Sequence, residues 1–274
     1  MEASKDHLSL LGLPRELRDH IYNYVLTVTR KAPPGPFHAG QRTRGRYSIH
    51  YHVGSTGMDL PNIALTCHQI REEVLDHDQT HAELDIMIRA YLVIPTWIVL
   101  PAILKCRQPL NVTVNLRVFS PEGFHSNDGW PRQPGECFRA LYCLLYEYFI
   151  AGPRFHCDRT LDPADIKYSI GILTVKLKSL DIYTPAVWPT VMRSILGKLK
   201  ALASTGIVSG HVKTIRVYAE YHGSDGTCQI VEKEWQVAST LDKAASQLWR
   251  AQGFPPLHSF EHDGGDAEIF GIQP

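Results

Sequence analysis

"NVTVNLRVF", residues 111 to 119, alternates without a break. Val112, Val114, Leu116 and Val118 fall on one side of an extended chain, and Asn111, Thr113, Asn115 and Arg117 on the other. Successive side chains of a strand point to opposite faces, so the pattern predicts a strand with one apolar and one polar face. Val114 is expected to face inward on a central strand. Asn111-Val-Thr also matches a glycosylation sequon, and inside such a strand it is read as a chance match.

Similar segments lie on both sides. "AELDIMIR" (82–89) predicts a strand, and "PTWIVLPAILKC" (95–106) a helix begun or kinked at its prolines. After a loop at 120–135, "ECFRALYCLLYEYFI" (136–150) predicts a strongly apolar helix. "YSIGILTVKLKSLDI" (168–182) predicts a strand, and "PAVWPTVMRSILGKLKALAS" (185–204) a helix for which Pro189 offers an alternative start. "HVKTIRVYAEY" (211–221) and "TCQIVEKEWQV" (227–237) read as strands of one hairpin, because "GSDG" between them is a strong turn signal. "STLDKAASQLWRAQG" (239–253) predicts a last helix, capped by Ser239 or Thr240 and stopped by Gly253.

The expected fold class is therefore α+β: an N-terminal helical unit followed by a mixed, mostly five-stranded sheet packed with helices. Strand–helix–strand order favours parallel pairing, and the late hairpin makes the sheet mixed. The expected divisions are a helical unit at 8–80 with a loop insertion at 31–60, a sheet domain at 81–253, and an extended acidic tail at 254–274. Strand–helix units of about 35 residues also leave room for a degenerate leucine-rich-repeat-like array.

Composition narrows the function classes. The chain has 274 residues, 44% of them hydrophobic, with 28 Lys+Arg against 28 Asp+Glu. Balanced charge argues against a general preference for nucleic acid or an anionic membrane. The longest apolar run, residues 91 to 104, is interrupted by Pro95 and Pro101. It falls short of the roughly 20 residues that a spanning helix needs. The N-terminal stretch lacks the pattern of a signal peptide. The expected location is cytoplasmic or nuclear. Six cysteines without a CxxC spacing suggest neither a zinc ribbon nor a disulfide framework.

In "LGLPRELRDHIYNYVL" (11–26), Pro14 suits the first turn of a helix. Leu13, Leu17, Ile21 and Val25 follow at four-residue spacing, widened by Tyr22 and Leu26, while Arg15, Glu16, Arg18, Asp19 and Asn23 fall mainly on the other face. This predicts a helix over 14–27. In "LPNIALTCHQIREEVL" (60–75), Ile63, Cys67, Ile70 and Val74 form a second stripe, with Gln69, Arg71, Glu72 and Glu73 at polar positions. That helix is expected to start near 59–61 and end by 77–80. Between the two lies a Pro/Gly-rich stretch with Arg30, Lys31, Arg42, Arg44 and Arg46 and no acidic residue before Asp59. It reads as a solvated loop, or as a contact for an acidic partner or nucleic-acid backbone. Within it "RYSIHYHV" (46–53) predicts a short strand.

This pair of segments resembles the helix pair of a group of fungal F-box-like proteins, patterned LPxEhRxxIYxhhL (h, apolar) and then hxxxCrQIrxEhL. The chain supplies Leu13-Pro14, Glu16, Arg18, Ile21-Tyr22 and Leu26, then Cys67, Gln69-Ile70-Arg71, Glu73 and Leu75, with His68 where the group usually has Arg. The gap between the halves is longer than in an ordinary F-box. The resemblance covers about residues 8 to 80. It implies a helical module that binds the small linker protein of a cullin-type ubiquitin ligase, with Leu13, Pro14, Ile21 and Leu26 as contacts, and a remainder that selects a substrate.

Signals for chemistry are weaker. Glu73, His77 and His81 have the spacing of a metal-binding helical face, but the helix is expected to end there. His50 and His52 share one face of a short strand pattern. "FHCD" (155–158) places a thiol beside a histidine, yet adjacent residues rarely serve each other. Phosphate-loop, dinucleotide and nucleophile-elbow patterns do not occur. No catalytic residue, metal or cofactor is assigned. Lys176, Lys178, Lys213 and Arg216 are candidates to share one sheet face. The leading expectation is a non-enzymatic protein-interaction protein, which the resemblance implies to be a ubiquitin-ligase substrate adapter. The alternative is a small-molecule-binding protein or unassigned enzyme with a pocket in the sheet domain.

Overall fold

The fold is taken from a computed structural model. It describes residues 9–27, 34, 38, 42–44, 49–52, 66–76, 79–89, 94–95, 106–119, 135–151, 169–179, 188–222 and 228–251. Its centre is a five-stranded sheet of β3 (Gln79–Arg89), β5 (Cys106–Phe119), β6 (Ile170–Ser179), β7 (Val212–His222) and β8 (Cys228–Gln236), hydrogen-bonded in that order. The first three pairings are parallel and the last is antiparallel, so the sheet is mixed. A smaller sheet joins β1 (Arg42–Arg44), β2 (Ile49–His52) and β4 (Ile94–Pro95).

The alternation of "NVTVNLRVF" holds across the sheet. Val114 pairs with Leu84 on β3 and Val175 on β6, which pairs with Val217 on β7. All four are buried. The crossover helices α3 (Gly135–Ala151) and α4 (Trp188–Ser204) pack on this apolar face, through residues such as Leu141, Leu145, Ile195 and Leu199. Right-handed crossovers put a helix on a fixed side for a given direction of travel. Here the chain moves β5, β6, β7 across the sheet without reversing, so both helices fall on the same face. In α3, residues 141 to 149 are all buried, as expected of a helix apolar all round. Phe138 and Tyr142 of α3 receive Trp249 of α5 (Lys243–Ala251), at ring separations of 5.5 and 5.6 Å.

Several boundaries differ from the sequence expectation. The last helix is capped by Asp242, not by Ser239 or Thr240: its Oδ1 accepts the amides of Ala244 and Ala245 at 3.0 and 3.1 Å. A carboxylate directly before the first turn reaches those amides, and the earlier hydroxyls do not. Strand β5 begins at Cys106, before the expected 111, because its first residue pairs with Gln79 across irregular registers on both sides. Of the helix expected at 95–106, Pro95 belongs to β4 and Cys106 to β5, while 96–105 lie outside the described residues. Strand β1 occupies part of the stretch read as loop, and β2 falls inside "RYSIHYHV". The tail at 254–274 lies outside the described residues. No helix among the described residues is long and apolar enough to cross a membrane.

The exit from α4 is tightly built. Gly206 has φ +66°, the left-handed conformation common just past a helix end. The segment after β8 lies directly over it. The Ala238 and Asp242 amides donate to the carbonyls of Ala203 and Thr205, both at 2.9 Å, and Ser209 Oγ donates to the Ser239 carbonyl at 2.8 Å.

Candidate functional site

The N-terminal chain makes one 3-10 turn at Leu10–Gly12 and passes extended through Leu13. It then enters α1 (Arg15–Thr27), where the Pro14 carbonyl accepts the amides of Leu17 and Arg18. The second helix, α2, spans His68–Leu75. It does not begin at 59–61: Thr66 is a bend and Cys67 is extended (φ −159°, ψ 165°), so the helical path is broken there. Residues 59–65 lie outside the described residues.

Two residues read as outward-facing polar positions, Arg18 and Glu73, are in fact buried between the helices. Arg18 grips Glu73 with both arms of its fork, Nε to Oε2 and Nη2 to Oε1, each at 2.8 Å. Tyr22, expected to widen the apolar stripe, is fully buried and donates its hydroxyl to Glu73 Oε2 at 2.7 Å. Gln69 Nε2 donates to Oε1 at 3.1 Å, and the Arg15 guanidinium lies 3.6 Å from it. The remaining arm of Arg18 donates to the Leu13 carbonyl. The network therefore fixes both the packing of α2 on α1 and the path by which Leu13 and Pro14 enter α1. Bidentate, charge-assisted bonds are the strong class of hydrogen bond. Ile70 and Val74 are buried beside Glu73.

The electrostatics follow from these contacts. The Arg18 fork, helped by Tyr22 and Gln69, holds the Glu73 carboxyl down to about 2 from an ordinary 4.5. Burial, reinforced by the bond to Glu73, pushes the Tyr22 phenol up to about 12. A depressed carboxylate stabilises the fold above its unfolded pKa, and the contribution is lost as pH falls through the folded one. The stability gap between the unaltered protein and Glu73→Gln is thus expected to be full above pH 4.5 and to close as pH falls toward 2. Urea titrations at pH 7, 4 and 2.5 measure it. A gap independent of pH would mean that the carboxylate is not held by this network.

With Arg18 and Tyr22 turned inward, α1 presents another face outward. Leu17 is 50% exposed and Tyr24 73%, and Leu11 before the helix is 38% exposed. Pro14 is exposed, while Leu13, Ile21 and Val25 are half-buried. Pro14, Leu17, Ile21 and Tyr24 recur at spacings of three, four and three, so they form one stripe along the helix. Of the four expected contacts, Leu13, Pro14 and Ile21 lie on or beside this stripe, and the side chain of Leu26 is outside the description. The strongest exposures, Leu17 and Tyr24, were not among them.

The candidate metal face does not assemble. Glu73 is committed to the network, His81 is exposed on β3 at 3.4 Å from Thr113 Oγ1, and His77 lies outside the described residues. Among the described residues no three His, Cys, Asp or Glu side chains gather as metal ligands. His50 and His52 fall on β2, their side chains outside the description, and "FHCD" lies wholly outside it.

The polar face of the sheet is a second surface. Its β3 and β5 columns are tied together: Asn115 donates to Glu83 at 2.6 Å, and Arg117 donates to Asp85 Oδ1 at 2.9 and 2.6 Å. Asp85 is buried, and desolvation raises its pKa in spite of Arg117. Arg117 also reaches the carbonyl of Pro34 at 3.5 Å, so Pro34 lies at this end of the face. On the other side Arg216 pairs with Glu234 at 2.6 Å. Lys176, Lys178 and Arg216 share the face as expected, but Lys213 does not. It is one residue out of phase with Thr214 and Arg216, and so points to the helix side of the sheet.

No family model, curated protein or solved structure matches the chain.

Proposed function

We propose that the protein is a non-enzymatic adapter whose α1–α2 pair docks an F-box-binding linker protein of a cullin-type ubiquitin ligase, working in the cytoplasm or nucleus. One observation carries the reading: three large apolar side chains, Leu11, Leu17 and Tyr24, stand exposed on and beside the helix that bears the F-box-like pattern. Contiguous exposed apolar patches rimmed by polar residues mark interaction sites. The pattern's polar letters support it from the other side. Arg18, Tyr22, Gln69 and Glu73 are occupied with one another, and Ile70 and Val74 are buried with them, which leaves Leu17 and Tyr24 of α1 for a partner.

The test is co-purification of the linker with a Leu17→Ala/Tyr24→Ala variant. Interface anchors cost about 2 kcal/mol or more when truncated, close to thirtyfold in affinity. Both side chains are largely solvent-exposed, so the melting temperature is expected to stay within a degree or two (roughly 0.5 kcal/mol for surface changes). Loss of linker with an unchanged melt supports the reading. Undiminished linker binding removes it.

A further inference from the structure

We propose that the uncovered part of the sheet's polar face, centred on β6, binds an extended acidic peptide segment. The proposal deepens the adapter reading by naming a substrate class, and rests on it only for calling that segment a substrate. Parallel strands are ordinarily covered on both faces. Here both crossover helices sit on one face, and the covering of the other is uneven. Asp85, Met87 and Arg117 are buried at the β3–β5 end, whereas Lys176, Arg216 and Tyr218 are half-exposed and Lys178, Glu220, Glu232 and Glu234 exposed toward β8. Three strands at about 4.8 Å spacing, each offering about four outward residues at roughly 6.6 Å intervals, make a strip wide enough for one extended chain.

The charges on the strip select its ligand. Around the centre each charge has a neighbour: Asp85 with Arg117, Arg216 with Glu234, Glu83 with the Asn115 amide, and Glu220 with the Cys228 thiol. Lys176 and Lys178, in the middle strand, hold no hydrogen bond or close ion pair with another described residue, although the Lys178 charge acts on Asp85 across the sheet. Lys176 lies in register between Asn115 and Tyr218, and Lys178 between Arg117 and Glu220. Two ammonium groups two residues apart on one strand, neither hydrogen-bonded to a described residue, match carboxylates two residues apart on an extended peptide, whose repeat is the same. Tyr218, whose hydroxyl meets Arg216, adds a ring alongside. Glu232 and Glu220 have no cation in a close ion pair among the described residues; Glu232 sits on the edge strand, two strands from the lysine column, and Glu220 lies in register beside Lys178.

The experiment is fluorescence anisotropy of a labelled twelve-residue Glu-Ser repeat on the full chain, beside Gln-Ser and Lys-Ser repeats and a single-stranded oligonucleotide of equal charge. The acidic peptide is expected to bind saturably at low salt and better than the other three. Lys176→Glu/Lys178→Glu is expected to weaken it at least about tenfold, since two exposed attractions become repulsions. Lys176→Arg/Lys178→Arg is expected to retain binding. Lys233→Glu makes a comparable charge reversal on the opposite face of β8 and is expected to leave binding unchanged. Absence of saturable binding, equal losses for the Lys233 and lysine-column reversals, or tighter binding of the oligonucleotide would each overturn the proposal. Linker co-purification is scored separately on the same variants. Its loss in the Leu17/Tyr24 variant with peptide binding intact separates the two surfaces, and its absence in the unaltered protein strikes the adapter reading alone.

Discussion

Glu73→Ala is expected to destabilise the helix pair by about 3–5 kcal/mol, the usual cost of removing one partner from a buried ion pair. The loss exceeds that of a single hydrogen bond because three groups are stranded together. The Arg18 guanidinium keeps its charge with no carboxylate, Tyr22 loses its acceptor, and Gln69 loses its own. Arg18→Ala is expected to destabilise in the same direction, and the double variant by less than the sum of the two, since the residues share one interaction. Hydrogen exchange along α1 and α2 measures the effect where it arises, and urea titration shows whether it spreads to the sheet. Ile70, Val74 and Tyr22 lie outside the sheet's main hydrophobic core, so the amides of β5 and β6 are expected to stay protected when those of α1 are lost. A change below about 1 kcal/mol, the value of an exposed pair, would contradict the clamp.

Gly206→Ala is expected to be as damaging, through the backbone instead of charge. At φ +66° any L-residue carries roughly 1–2 kcal/mol of strain. In addition a Cβ there would run into the Thr240 carbonyl group, with the carbonyl carbon only 2.8 Å away and the Ala238 oxygen 3.1 Å away. These are backbone atoms held by the bonds from Ala238 and Asp242 to the end of α4, and they cannot rotate aside as a side chain would. Opening that seam brings the total to about 3–5 kcal/mol. The expected result is a thermal midpoint lower by 5 °C or more (roughly 2–4 °C per kcal/mol at this chain length). Gly197→Ala is the control, because a Cβ at Gly197 meets nothing within 4 Å and the position is an exposed helical one. There a slight gain is expected. Equal behaviour of the two variants would show that the α4 exit is looser than described.

The sheet was legible because its strands obey one rule over long stretches. Val112, Val114 and Leu116, then Leu173, Val175 and Leu177, then Ile215, Val217 and Ala219 each repeat at period two, and an uninterrupted period has one physical reading. The turn residues "GSDG" likewise announced the antiparallel pairing of β7 with β8. What sequence could not convey was where buried charge lies. Periodicity assigns Arg18 and Glu73 to the outside because each alone would be costly to bury, and it cannot see that they neutralise each other across 55 residues. A signal was nevertheless present. Glu73 follows Ile70 by three and precedes Val74, inside the apolar stripe, and Arg18 stands four before Tyr22 on one face. Residues of opposite charge embedded in the flanks of two apolar stripes point to an internal pair. The same misassignment hid the outward stripe: once Tyr22 turns in, Leu17 and Tyr24 must turn out. Lys213 was misplaced for a simpler reason, a one-residue phase error within a strand, which moves a side chain to the opposite face.

The central claim is that α1 is held from within by Glu73 and offers its apolar stripe to a linker protein. Calorimetric titration of purified F-box-binding linker protein into the full chain tests it most directly, with Leu17→Asp and Lys176→Glu/Lys178→Glu run alongside. The account predicts saturable one-to-one binding by the unaltered chain and by the lysine variant, and none by Leu17→Asp with its melting temperature unchanged. Saturable binding by Leu17→Asp, or no heat of binding from the unaltered chain, would contradict it.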